Sequence, residues 1–139
     1  MKVYFVGYIT ALVALLIFDT LWLGAMSRDF YKARLGQLLL EQPNWYAAIL
    51  FYLVHALGIV VFAVPLAGSW VSAALFGALF GFCVYAAYDL TNLATLRGWP
   101  WPLTVSVVDL AWGGAVTATA AAFLATRRLK DQCSSLYSG

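Results

Sequence analysis

The chain has 139 residues, of which 64% are hydrophobic and only 10% are charged, and its mean hydropathy is +0.86. A soluble globular domain carries about 25% charged residues, so this composition excludes one and predicts an integral membrane protein. The net charge of +2 is too small to favour a polyanionic partner, and we predict no nucleic-acid binding.

Four long apolar runs divide the chain, at residues 3–26, 45–67, 71–95 and 103–126. A helix needs about 20 residues to cross the hydrocarbon of a bilayer, so each run is long enough for one crossing. We therefore predict an all-α fold, a four-helix transmembrane bundle that forms a single domain over residues 1–130. Residues 131–139 are predicted to be a polar, frayed C-terminal tail.

Proline and tryptophan mark the ends of these runs. All four prolines lie near span ends, where a missing N–H does least harm, and several tryptophans lie there too. These residues are Pro43, Pro65, Pro100, Pro102, Trp45, Trp70, Trp99 and Trp101. The tryptophan positions are typical of the aromatic belt at a membrane surface.

The first connection, residues 27–44, has a periodicity of its own. Tyr31, Arg34, Leu35 and Leu38 recur at helical spacing, which predicts a short amphipathic helix at the membrane interface between the first two spans. A plain connector whose long side chains cover apolar surface is the alternative. Arg34 falls toward the apolar side of this helix and is therefore a candidate site residue.

The basic residues favour one orientation only slightly. Lys2, Arg127, Arg128 and Lys130 lie on the side of the termini, against Arg28, Lys32, Arg34 and Arg97 on the other side. The cluster after the last run tips the positive-inside rule toward both termini in the cytoplasm. Insertion in both orientations is the alternative.

Acidic residues inside the apolar runs are the main chemical signal. The stretches FDTLWLG, residues 18–24, and VDLAWGG, residues 108–114, share a D-x-x-W-x-G spacing. Asp19, Asp109 and Asp89 of the third run make up half of the six acidic residues. Because a helix rises about 1.5 Å per residue, all three are expected in one layer, on the side of the first and third connections.

Helical spacing gives each carboxylate neighbours on its own face. Trp22 and Trp112 follow Asp19 and Asp109 by three residues, and Tyr85 and Asn92 flank Asp89 at i−4 and i+3. Thr91 and Asn92 are candidates to orient a water or a substrate hydroxyl, and Tyr85 to donate a proton. The candidate pocket residues are Asp19, Trp22, Arg34, His55, Tyr85, Asp89, Thr91, Asn92, Arg97, Asp109 and Trp112. Catalytic residues are not recognisable, because no nucleophile and base form a pair.

Each intramembrane aspartate needs a proton or a partner, since an unpaired one costs on the order of 3 kcal/mol. In a structural interpretation, the three are protonated or bonded to Arg34, Arg97, tryptophan N–H groups and backbone, and only lock the bundle. In a functional interpretation, they line a polar pocket, and at least one is protonated near neutral pH.

Two further features bear on contacts between helices. His55 is the only histidine, which favours a hydrogen bond between helices over a ligand, so we predict no metal and no cofactor. Ala73, Gly77 and Gly81 form a small-x-x-x-small ladder in the third run. Such a ladder is typical of close helix packing, with a homo-oligomer contact as the alternative.

Several blocks carry a resemblance to a known family. They are FDTLWLG, FYKARLGQLL, ILFYLVHALGIVVFAV, AALFGALFGFCVYAAYDLTNLATLRGWP and LTVSVVDLAWGG. Together they resemble the bacterial membrane-protein family known as domain of unknown function 2177. The resemblance implies four helices in a bacterial inner membrane, with no established activity. Genes of this family often lie beside lipid-modifying genes, such as those of cyclopropane-fatty-acid-synthase-like enzymes.

Three functions stay open at this point. The first is binding of a lipid or small amphiphile in the carboxylate pocket, as an enzyme or helper in membrane-lipid modification, with Arg34 or Arg97 holding an anionic head. The second is proton-coupled transport by the carboxylates. The third is a structural role in a larger membrane complex. We rank them in that order.

Overall fold

Apolar runs bounded by proline and capping residues form helices along nearly the whole chain. The computed structural model describes residues 2–96 and 101–137, and these contain no strand. Four of their helices are long and apolar enough to cross a membrane. These spans are Tyr4–Met26, Trp45–Ala63, Trp70–Thr95 and Leu103–Arg128. The predicted all-α fold with four membrane-spanning helices is confirmed.

The individual elements run in a simple order. They are α1 (Lys2–Met26), a π-helical segment (Ser27–Lys32), α2 (Ala33–Leu35), a 3-10 turn (Gly36–Leu38), α3 (Trp45–Gly58), a second π-helical segment (Ile59–Ala63), α4 (Trp70–Thr95) and α5 (Leu103–Tyr137). The short helix predicted between the first two spans is therefore present. Helix α5 continues as far as Tyr137, into the polar tail predicted from residue 131.

Local capping explains where the middle helices begin. The Asn44 side chain accepts a hydrogen bond from the Ala47 N–H at 3.2 Å, which satisfies a free donor at the start of α3. Ser69 and Ser72 form a reciprocal capping box at the start of α4. The second span ends at Ala63 rather than residue 67, because the backbone turns around Pro65.

Helix α5 packs against both α1 and α4. On α4, Ala73 is fully buried, and a Cβ added at Gly77 would lie 2.7 Å from the Ala121 Cβ. A Cβ at Gly81 would collide with the Gly113 carbonyl oxygen and the Thr117 side chain. The packing interpretation of the small-residue ladder is thus confirmed.

Because α5 of the same chain covers Gly77 and Gly81, and Ala73 is fully buried, a second copy reaches Gly77 and Gly81 only if α4 and α5 separate. A homo-oligomer remains a prediction, but it needs a different surface. Large apolar side chains stand exposed on the outer faces, among them Phe5, Leu21 and Leu75, as expected for a multi-pass membrane protein.

The segment after α1 folds back over one end of the bundle. Leu35 is buried together with Trp101 and Val105, and Phe30 and Tyr31 pack against this cluster. The chain then turns at Gly36, whose φ of +46° is a conformation that other residues rarely adopt. This arrangement brings Tyr31 from the first connection to the side chains of α5.

Candidate functional site

The two D-x-x-W stretches bond across the bundle rather than along their own helices. The Trp112 indole N–H donates to Asp19 Oδ1 at 2.7 Å. The Trp22 indole N–H donates to the Tyr31 hydroxyl oxygen at 3.0 Å, and the Tyr31 hydroxyl donates in turn to Asp109 Oδ1. Each carboxylate is therefore linked by hydrogen bonds to the tryptophan of the other helix, directly for Asp19 and through the Tyr31 hydroxyl for Asp109.

Antiparallel packing explains this crossed pattern. Gly7 of α1 lies against Leu124 of α5, and Trp22 stacks on Trp112 with 4.2 Å between ring centroids and 8° between planes. When two antiparallel helices each carry a pair of residues at the same spacing, the first residue of one pair lies beside the second residue of the other. The aspartate of one helix consequently lies level with the tryptophan of the other. The same-helix neighbours expected from i+3 spacing share a face, as predicted, but they are not hydrogen-bond partners.

Asp89 forms a second polar group beside this network. It is completely buried, and the Trp101 indole N–H donates to both Asp89 Oδ1 and Ser106 Oγ, at 3.1 Å each. Asp89 Oδ2 has no hydrogen-bond partner among the described residues. Asp89 also lies close enough to Asp109 for their charges to interact. A buried carboxylate oxygen without a donor is costly, which favours a proton on this group.

His55 packs among aromatic side chains of α3 and α4. The His55 ring stacks on Phe51 at 5.3 Å and meets Tyr85 edge-to-face at 6.3 Å. His55 Nε2 lies 2.9 Å from Thr117 Oγ1 of α5, which is the helix-to-helix hydrogen bond expected for a lone imidazole. The Tyr52 hydroxyl faces Asp19.

A cavity of about 340 Å³ lies where α3, α4 and α5 meet. Its lining consists of Phe51, Val84, Tyr85, Tyr88 and Asp109. Phe51 and Tyr88 are also exposed on the outer surface, so the cavity lies at the side of the bundle. The described hydrogen bonds of Asp109 occupy only its Oδ1. The site therefore combines aromatic side chains with a carboxylate whose second oxygen has no described hydrogen bond.

A family profile described as "Predicted membrane protein (DUF2177)" matches residues 4–126, which is most of the chain. The chain belongs to the DUF2177 family. Comparisons with curated proteins and with solved structures find no match. The family description and the four apolar helices fit a multi-pass membrane protein, and the chemistry of the site follows from its own residues.

In this DUF2177 chain the predicted site residues separate into two sets. The network and the cavity bring together Asp19, Trp22, His55, Tyr85, Asp109 and Trp112, with Asp89 beside them. Thr91 is exposed, and its hydroxyl donates to the Ala87 and Tyr88 carbonyl oxygens of its own helix. The described hydrogen bond of Asp89 comes from Trp101 and not from Asn92.

Of the two arginines expected to hold an anionic head in this DUF2177 chain, the structure describes only Arg34, which does not line the cavity. Arg34 is exposed, and its guanidinium lies over the Phe30 ring, 4.2 Å from the centroid. Arg97 lies outside the described residues. Within residues 2–96 and 101–137, no cluster of three or more His, Cys, Asp or Glu side chains is arranged to hold a metal.

Sequence reasoning missed the donors that complete the network. Trp101 was assigned to the aromatic belt, yet it is only 7% exposed and bonds Asp89. Tyr31 was assigned only to an interfacial helix, and Ser106, Thr117 and Tyr52 carried no signal. The one available hint for Trp101 was that it lies between Pro100 and Pro102, because flanking prolines restrict the backbone and so the direction of the side chain.

Tyr31 stands outside the membrane spans and is a dependable donor. Burial, and after it the bond to Asp109, raise the pKa of Tyr31 above its ordinary value. Its hydroxyl therefore keeps its proton throughout the physiological range. Tyr31 bonds one oxygen of Asp109, and the other has no hydrogen bond among the described residues.

Proposed function

We propose that the protein binds a lipid or small amphiphile whose polar end lies against Asp109, in support of membrane-lipid modification. The cavity at the side of the bundle is the observation that carries this proposal. Its volume of about 340 Å³ is at the small end of ligand pockets, which span about 300–1,000 Å³. A single head group with the start of a chain suits this size better than a whole lipid.

The position of the cavity supports entry from the side. Tyr88 is 58% exposed and Phe51 is 38% exposed, so two of its walls are continuous with the outer apolar surface. An amphiphile lying in a bilayer can place its head in the cavity and leave its chain along exposed residues such as Leu79 and Phe82 of α4. A water-soluble substrate would gain little from such an opening.

Changing Asp109 to Asn should reduce the amount of amphiphile that copurifies with the protein by at least about tenfold, because a charged acceptor is lost. The full chain is purified in dodecyl maltoside, and retained molecules are counted by native mass spectrometry. Glu41→Gln is the matched control, since Glu41 is exposed and the change in charge is the same. Equal retention by Asp109→Asn and the parent would refute the proposal.

Proton-coupled transport is less well supported by the same network. An indole N–H only donates, so a proton cannot pass through Trp22 or Trp112 from one carboxylate to the other. The partnerless oxygen of Asp89 is the feature that favours transport, because such a group can exchange a proton. Substrate flux that depends on pH in the parent and is lost in Asp89→Asn would establish this alternative.

We propose a bacterial inner membrane as the location, which the family resemblance implies, with both termini in the cytoplasm, which the basic residues near the spans favour. Reporter fusions after Lys130 and near Gly36 should then report opposite sides, with the Lys130 fusion cytoplasmic. A fluorescent reporter and a periplasmic phosphatase reporter at each position provide the measurement. Mixed signals from both fusions would replace this orientation with dual insertion.

A further inference from the structure

We infer that the polar end of the ligand in this cavity is an organic cation, an amine or quaternary ammonium group borne on an apolar chain. The inference rests on the proposed amphiphile site and names the chemistry of its ligand. It depends on three features of the described residues: the aromatic walls, the free oxygen of Asp109 and the positions of the neighbouring basic groups.

The walls of the cavity suit a cation. Phe51, Tyr85 and Tyr88 are three of its five lining residues, and a ring face attracts a positive charge that lies within about 6 Å of its centroid. Aromatic cages of this kind recognise quaternary ammonium groups in other proteins. An anionic head would gain no such attraction and would meet the like charge of Asp109.

The carboxylate adds a matching charge. Asp109 lines the cavity, and Tyr31 donates to its Oδ1, which leaves Oδ2 for a ligand. Tyr31 holds the carboxylate in place, and the stacked pair of Trp22 and Trp112 holds Tyr31. A preorganised anion beside aromatic faces binds a cation more strongly than a neutral hydroxyl, because both the charge and the rings favour it.

The described basic groups do not compete for this position. Arg34 is exposed with its guanidinium over Phe30, and Lys32 is exposed as well. Among the residues that the structure describes, no lysine or arginine lines the cavity. The charge of Asp109 is therefore available to a ligand unless Arg97 reaches it, and the experiment includes that outcome.

Binding of a matched set of eight-carbon probes tests the inference. The probes are octyltrimethylammonium, octanol and octyl sulfate, each titrated by equilibrium dialysis against the full chain in dodecyl maltoside. We expect octyltrimethylammonium to bind the parent at least about tenfold more tightly than octanol. Asp109→Asn should remove most of this preference, whereas Glu41→Gln should retain it.

A second variant tests the rings without changing charge. Phe51→Leu should weaken octyltrimethylammonium severalfold more than octanol, since it removes one ring face and keeps an apolar wall. Near-ultraviolet circular dichroism of both variants confirms that the stacked tryptophans remain in place. If Asp109→Asn fails to fold, the Phe51→Leu comparison decides alone.

The remaining outcomes separate the inference from the proposed function. If octanol binds as tightly as octyltrimethylammonium and Asp109→Asn weakens the binding of both, the inference of a cation is overturned and the amphiphile site is retained. Tightest binding of octyl sulfate, lost in Arg97→Gln, also overturns the cation. Absence of binding by all three probes overturns both proposals. Tetramethylammonium serves as a fourth probe, which lacks the octyl chain. If it binds as tightly as octyltrimethylammonium, the inference of a cation is retained and the amphiphile proposal is overturned.

Discussion

Gly81→Ala should lower the free energy of unfolding by about 1–3 kcal/mol, the usual cost of overpacking a close contact. The new Cβ would collide with the Gly113 carbonyl oxygen and the Thr117 side chain, so α4 and α5 would have to move apart. Alanine is a better helix former than glycine by up to about 1 kcal/mol, which offsets only part of this cost. Unfolding by dodecyl sulfate in mixed micelles measures the difference.

Gly24→Ala is the matched control for this experiment. Gly24 also lies in a membrane-spanning helix, but nothing stands within 4 Å of the position that its Cβ would occupy. This variant should be as stable as the parent or slightly more stable, because it gains helix propensity without a collision. A Gly81→Ala protein as stable as Gly24→Ala would show that α4 and α5 are not packed as described.

Trp112→Phe and Asp19→Leu should show a coupling energy of about 1–1.7 kcal/mol in a double-mutant cycle, the upper part of the range that such cycles find for polar contacts between membrane helices, because Asp19 is buried. Trp112→Phe leaves the buried Asp19 without its 2.7 Å donor, and Asp19→Leu leaves the indole N–H without an acceptor. The double variant leaves neither group unsatisfied. It should therefore be more stable than the two single losses predict together.

The same mixed-micelle unfolding measures all members of this cycle. Trp112→Phe combined with Glu41→Gln is the control cycle, and its effects should add within about 0.5 kcal/mol because the exposed Glu41 has no part in the network. If Asp19 and Trp112 are also additive, the crossed bond carries no energy. The structural interpretation of the D-x-x-W stretches would then fail.

The two ends of the network serve different purposes under these proposals. Asp19 is only 4% exposed, with Trp112 and Tyr52 beside it, so we expect its loss to affect stability first. Asp109 is less buried and faces the cavity, so we expect its loss to affect ligand binding first. The structural and functional interpretations of the carboxylates are thus compatible, because they apply to different members.

The amino-acid sequence was sufficient for features that depend on one helix at a time. Four runs of apolar residues need a bilayer or a core to cover them, and proline and capping residues set their ends, so span number and approximate bounds follow from local physics. The same local reasoning identified the ladder that packs α4 closely, and it located Asp19, Asp89 and Asp109 within the apolar runs.

The hydrogen-bond partners of the polar side chains depended on how the helices pack. Residue spacing along one helix does not specify that packing. Antiparallel packing of α1 and α5 exchanges the tryptophans between the two aspartates, and the fold-back of the first connection delivers Tyr31 to Asp109. Trp101 turns inward to Asp89 because the inside of the bundle offers it an acceptor. Arg34 stays outside over Phe30, because a guanidinium in contact with water and a ring face avoids the cost of desolvation.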